Sequence, residues 1–163
     1  MGYAALPYHA GMTDDQRTRN QDAFLTEQTD CIVATIAFGM GIDKSNVRYV
    51  IHTGLPKSLE NYQQESGRAG RDGVEAECWL LYSPGDSMTW RRIMNDLPAE
   101  ASASAERSLD AMEAYVTSIT CRHQSLVEHF GQTWDKDSCG ACDVCLDELE
   151  TVADALTIGQ KIL

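Results

Sequence analysis

Residues 30–52 read DCIVATIAFGMGIDKSNVRYVIH. Asp30 to Thr35 is a short apolar run bounded by polar residues, which fits a buried parallel strand. A loop holding Gly39 and Gly41 leaves its end, and Val47 to His52 predicts a second strand. Upstream, Thr13-Asp14-Asp15-Gln16 carries the elements of a capping box, with two carboxylates for the positive helix end. The helix is expected to run to about Glu27 and to bury Phe24 and Leu25. Downstream, Pro56 and Ser58 start another helix through Gln64. Gly67, Gly70 and Gly73 break the chain into a loop, and Ala76 to Tyr82 reads as a third strand. Strands alternating with helices at these spacings predict an α/β unit with a parallel sheet.

From Pro84 the pattern turns helical. Residues 98–105, PAEASASA, are small and poor in large apolar side chains, and are the expected domain boundary. Helices are expected over 105–119 and 121–130, then a cysteine-bearing loop, then a helix from Glu150 to Leu163. The predicted domains are therefore 1–97, 98–150 and 151–163.

The chain has 163 residues, about one domain's worth. No apolar run nears the ~18–20 residues that span a bilayer, and no signal peptide is visible, so a cytosolic protein without a membrane partner is expected. The expected compartment is the bacterial cytosol or nucleoid, or the nucleus in a eukaryote. The net charge of −12 excludes a broad basic face. Residues 1–97 contribute −4 and residues 98–163 contribute −8. Any nucleic-acid contact must then be local, made by a few Arg, Lys and backbone N–H groups.

The strongest local signal is QESGRAGRDG at 64–73. Arg68 and Arg71, set among glycines, can each bond two phosphate oxygens and stabilise charge on a transferring phosphoryl group. The plain alternative is a surface loop with two solvated arginines. ATIAFGMGIDK at 34–44 leaves a strand end, where ligand sites of open α/β sheets gather. There Asp43 can accept from a ribose hydroxyl, and Thr35 can bond a nucleic-acid phosphate. The plain alternative is a glycine turn capped by an aspartate. Gly39, Gly41, Lys44 and Ser45 imitate a phosphate-binding P-loop, but Asp43 stands where that loop needs Gly. No GxxxxGK[ST] and no Asp-Glu after four apolar residues occurs in these residues, so the chain alone is expected not to hydrolyse ATP.

Cys121, Cys139, Cys142 and Cys145 have the spacing of a four-thiolate metal site. Zinc and an iron–sulfur cluster both suit it. Nearby His123 is a poor second-choice ligand. Cys31 and Cys78, each alone in an apolar run, are expected as small core residues. Trp79, Trp90 and Trp134 are expected to pack.

YHAGM at 8–12, ATIAFGMGIDKSNVRYVIH at 34–52 and PKSLENYQQESGRAGRDG at 56–73 resemble motifs IV, V and VI of the RecQ helicases. CRHQSLVEHFG at 121–131 and CGACDVC at 139–145 resemble the zinc subdomain that follows the motor in that family. His123 departs from the family pattern, which usually has Arg there. The resemblance implies a second RecA-like lobe of an ATP-dependent 3′-to-5′ DNA helicase, then a small helical zinc-binding subdomain. Residues 151–163 are similar to the opening of a winged-helix domain. The resemblance also implies that ATP and Mg²⁺ are shared with an N-terminal RecA-like lobe outside this chain. Arg71 would be the arginine finger. Arg68 would reach the γ-phosphate or that lobe's acidic motif, and Gln64 would belong to the same motif. Asp43 would touch the ribose, with Gly39 and Gly41 shaping the loop. Thr35, Tyr8 and His9 would face single-stranded DNA, whose junctions with duplex are the implied substrate. The resemblance favours zinc over iron and sulfide. A second reading is a non-catalytic zinc-containing DNA-binding or interaction module derived from a helicase.

Overall fold

A computed structural model describes residues 2–36, 38 and 43–149. The chain divides into two compact units, one from Met1–Thr53 with Gln64–Leu81, the other from Gly54–Gln63 with Tyr82 onward.

The first unit is built on two pairs of parallel strands. Strand β1 (Ala5–Tyr8) pairs in parallel with β2 (Cys31–Ala34), and α1 (Asp14–Leu25) connects them. Helix α1 starts where its capping box places it: Thr13 Oγ1 accepts from Gln16 N–H, and Gln16 accepts from Thr13 N–H. Strand β3 (Tyr49–His52) pairs in parallel with β4 (Glu77–Leu80), and α2 (Leu59–Ser66) lies between them in sequence. The α/β class with parallel pairing is as expected. The single sheet is not: the described residues form two two-stranded sheets, β1-β2 and β3-β4, with no strand bridging them. Strand β1 carries no signal in the sequence reading, because Pro7 interrupts a four-residue element.

Burial in this unit also departs from expectation. Val33, Tyr49, Ile51 and Trp79 are 55–65% exposed, because no described element covers those strand faces. Phe24 is only half-buried and Leu25 is exposed. Cys31 and Cys78 are exposed rather than core. The Cys78 sulfur nevertheless lies 3.6 Å from the Ser66 carbonyl, and burial of that sulfur raises its pKa.

The core lies in the second unit. Leu55, Leu59, Tyr62, Met94, Leu109, Met112, Tyr115, Cys121 and Cys142 are its buried apolar side chains. They come from the start of α2, from α3 (Pro84–Met94) and α4 (Ala99–Thr117), and from loops, Cys121 standing just before α5 (Arg122–His129). Ser83 and Asp86 form a second capping box at the start of α3. Asp86 also accepts from Leu55 N–H (3.2 Å), and Trp90 Nε1 donates to the Leu55 carbonyl (2.7 Å), so Trp90 packs as expected. Trp79 does not: it is exposed, with Nε1 bonded to Glu77. Residues 98–105, expected as a boundary, instead open the 19-residue helix α4. Four alanines there supply high helix propensity without an apolar stripe. The helix expected from Glu150 and the winged-helix start at 151–163 lie outside the described residues.

Candidate functional site

The arginine loop follows α2. Ser58 opens that helix, its hydroxyl accepting from Asn61 N–H (3.3 Å). After Ser66 the chain turns through Gly70 (φ +62°) and Gly73 (φ +77°). A Cβ on Gly70 would meet the Val74 carbonyl at 3.0 Å, so the tight return there requires glycine. Backbone bonds hold the loop on both sides of Arg71: Gly70 N–H donates to the Val47 carbonyl (3.0 Å) and Asp72 N–H to the Ser45 carbonyl (3.2 Å).

This folding brings two predicted site residues together. Arg71 Nη1 lies 3.2 Å from Asp43 Oδ1, and Arg71 Nε donates to the Gly67 carbonyl (3.2 Å). The Asp43 side chain is 89% exposed and that of Arg71 39%, so both remain open to a ligand. Arg68 Nε is buried without a hydrogen-bond partner. Burial, and then repulsion from Arg71, lowers the Arg68 pKa. A buried, unpaired guanidinium N–H beside a second cation suits an anion. Gln64 is exposed on α2. Gly39 and Gly41 lie outside the described residues.

Lys44 is not a phosphate lysine. Its Nζ pairs with Glu27 (3.3 Å) and lies 5.3 Å from the centre of the Phe24 ring, which agrees with rejecting a P-loop here. His52 meets Glu65 across 2.8 Å, tying β3 to α2.

The residues expected to face nucleic acid adjoin at the C-terminal ends of β1 and β2. Thr35 N–H donates to the Tyr8 carbonyl (3.1 Å), continuing the ladder by one bond. Thr35 and His9 are exposed, and His9 Nδ1 accepts from Gly11 N–H (3.2 Å). Tyr8 is half-buried, edge-on to Phe38 at 4.8 Å.

The second site is in the other unit. The Sγ atoms of Cys121, Cys139, Cys142 and Cys145 all lie within 4.8 Å of one another, and Cys121 and Cys142 are buried. A tetrahedral zinc with Zn–S bonds of ~2.3 Å sets its sulfurs about 3.8 Å apart. The observed Cys121–Cys142 separation is 4.0 Å. A multi-iron cluster would spread its ligand sulfurs wider, so the donor set fits one ion. Neither His123 nor His129 joins it. Backbone N–H groups of Ala141 and Cys142 point at Cys139 Sγ (3.4 and 3.3 Å), and Arg122 N–H points at Cys142 Sγ (3.4 Å). Such bonds favour thiolate. Among the thiols, burial pushes Cys139 up to about 11 while the Ser138 hydroxyl draws Cys145 down to about 6.

Arg122 braces this cluster, a role the sequence does not reveal. Its Nε and Nη2 each lie 2.9 Å from a different Asp143 oxygen, and Nη1 donates to the Tyr115 and Ser118 carbonyls. One side chain therefore joins the start of α5, the end of α4 and the cysteine loop.

The helicase conserved C-terminal domain family matches residues 1–73, and the RecQ zinc-binding family matches residues 84–146. The four-cysteine cluster lies within the second match. This chain belongs to the RecQ family. It is 43% identical, over 99% of its length, to the ATP-dependent DNA helicase RecQ of Pasteurella multocida (strain Pm70), covering 26% of that protein. It is 43% identical to the RecQ of Bacillus subtilis (strain 168) over 86% of its length, and 24% of that protein. It is 45% identical to the RecQ-like DNA helicase BLM of Xenopus laevis over 89% of its length, and 11% of that protein. The chain thus spans about a quarter or less of these RecQ relatives. Among solved structures, Mss116p DEAD-box helicase domain 2 bound to an RNA duplex aligns with a TM-score of 0.46 at 20% identity. That alignment covers 79% of this chain and 57% of that one, and the likeness is too slight to bear on function. RecQ membership and the cysteine geometry together support a structural zinc ion. No helix among the described residues is long and apolar enough to cross a membrane.

Proposed function

We propose that this chain is the second motor lobe and zinc subdomain of an ATP-dependent 3′-to-5′ DNA helicase that acts in the cytosol or nucleoid, or in the nucleus of a eukaryote. The observation that carries the reading is the Arg71–Asp43 pair, 3.2 Å apart and open to solvent, on a loop turned by glycines and held by backbone bonds. ATP and Mg²⁺ would be held by an N-terminal RecA-like lobe, and this chain would close on them. Arg71 would stabilise the charge that develops on the transferring phosphoryl group, a fixed cation acting where the charge appears. Arg68 would bind the γ-phosphate or that lobe's acidic motif, with Gln64 beside it. Asp43, with Gly39 and Gly41, would accept from the ribose, so that ribose and Arg71 compete for one carboxylate. Thr35, His9 and Tyr8 would follow the single strand through its phosphates, moving as the cleft opens and closes. DNA junctions would be the substrate. The zinc ion would lock α5 to the cysteine loop.

The test uses the full-length protein that carries these residues. Arg71→Ala is expected to lower kcat for DNA-stimulated ATP hydrolysis by ~10³–10⁵, with DNA affinity retained. Turnover like wild type refutes the transfer role. A full-length protein without ATP-dependent strand separation points to the non-catalytic zinc module instead.

A further inference from the structure

We infer that Arg48 is a positioning residue for Arg71. The inference rests on the transfer role proposed for Arg71. Arg48 lies one residue before β3, on the segment that runs from Asp43 into the strand. Its guanidinium reaches four acceptors in three directions. Nε donates to the Asn46 carbonyl (3.2 Å), and Nη1 to the carbonyls of Val74 and Glu75 (3.0 Å each). Nη2 pairs with Asp72 Oδ2, while Asp72 Oδ1 accepts from Val74 N–H (3.1 Å).

The bonds on either side of Arg71 end on Val47 and Ser45, and a third, from Glu77 N–H, ends on the Arg48 carbonyl (2.8 Å). Segment 45–48 therefore grips the near side of the arginine loop through its backbone. The Arg48 side chain staples the same segment to the far side, at Asp72, Val74 and Glu75. Arg71 sits inside that closed circuit. A lysine ammonium cannot replace the fork, because it lacks the planar spread that meets these acceptors together.

Arg48 and Asp72 keep 31% and 28% of their side-chain surface exposed, so solvent screens the pair and its weight in overall stability is modest. Its weight is in geometry. A displacement of about 1 Å at a transferring group costs on the order of 10²-fold in rate. That loss falls on kcat, because the interaction strengthens in the transition state.

The experiment is a double-mutant cycle on steady-state ATP hydrolysis by the full-length protein. Arg48→Ala is expected to lower kcat by about 10²-fold and leave KM for ATP within about threefold, with Arg48→Lys recovering only part of the loss. In an Arg71→Ala background, Arg48→Ala is expected to change kcat by less than about threefold, because the group it positions is gone. Should Arg48→Ala not fold, Asp72→Asn loosens one arm of the staple and takes its place in the cycle. An equal fall in both backgrounds, or no fall in either, overturns the inference while leaving Arg71 its role. A wild-type-like Arg71→Ala overturns both.

Discussion

Arg122 shows how one side chain can carry a site that its neighbours define. It follows the ligand Cys121, and its fork on Asp143 binds together residues 21 positions apart. Arg122→Ala is expected to cost about 2 kcal/mol in chemical denaturation and to speed zinc loss to a chelator. Asp143→Asn should do the same more mildly. A second residue-level expectation concerns Glu60, whose carboxyl bonds the His129 ring (2.9 Å) and is held down to about 2, first by that bond and then by Ser58. The carboxyl's folded-state pKa is below its ordinary 4.5. Its contribution is therefore full above pH 4.5 and is lost as pH falls toward 2. Wild type should lose more melting temperature across that window than Glu60→Gln, and parallel curves would contradict the pairing. The cysteines were legible because ligand chemistry is written in residue type and spacing. The bracing was not. Arg48 bonds mostly to backbone carbonyls, which every residue has, and Arg122 to two carbonyls and a carboxylate 21 residues away, so no local sequence pattern marks them.

At the scale of elements, capping chemistry was the most legible signal. Thr13 with Gln16 marks a helix start by side chains that answer backbone N–H groups within three residues, and the structure adds a second such box, Ser83 with Asp86. Helix α4 was hidden at its start because residues 98–105 have no apolar stripe, and propensity alone carries those turns. Its buried face comes later. Leu109 and Met112 are 0% exposed, and replacing either by Ala is expected to cost ~2–5 kcal/mol. Ile119, 76% exposed just past the helix, should tolerate Ala within about 0.5 kcal/mol. Thermal denaturation of the three variants checks the contrast. Strands β2, β3 and β4 are legible as apolar runs, whereas β1 is not. An apolar run predicts a surface that wants covering, and Ile51 and Trp79 are two such surfaces that no described element covers.

At the scale of the whole molecule, the buried apolar core belongs to the unit that holds the four cysteines. Zinc binding is worth on the order of 10 kcal/mol in isolated zinc modules, comparable to the ~5–15 kcal/mol that holds a whole domain folded. Stripping the metal with a chelator is therefore expected to unfold α5 and the cysteine loop, read as lost helical circular dichroism. The holo protein should be colourless with one zinc per chain. The other unit would contribute to function by placement rather than by a core: a short loop sets Arg71 beside Asp43 and leaves both open. Whether that guanidinium meets a nucleotide is the claim on which the rest stands. The direct measurement is a crystal structure of the full-length protein with Mg²⁺ and a non-hydrolysable ATP analogue. The Arg71 guanidinium is expected about 3 Å from a γ-phosphate oxygen, drawn away from Asp43. Arg71 and Arg68 both facing bulk water, away from the triphosphate in a closed cleft, would contradict it.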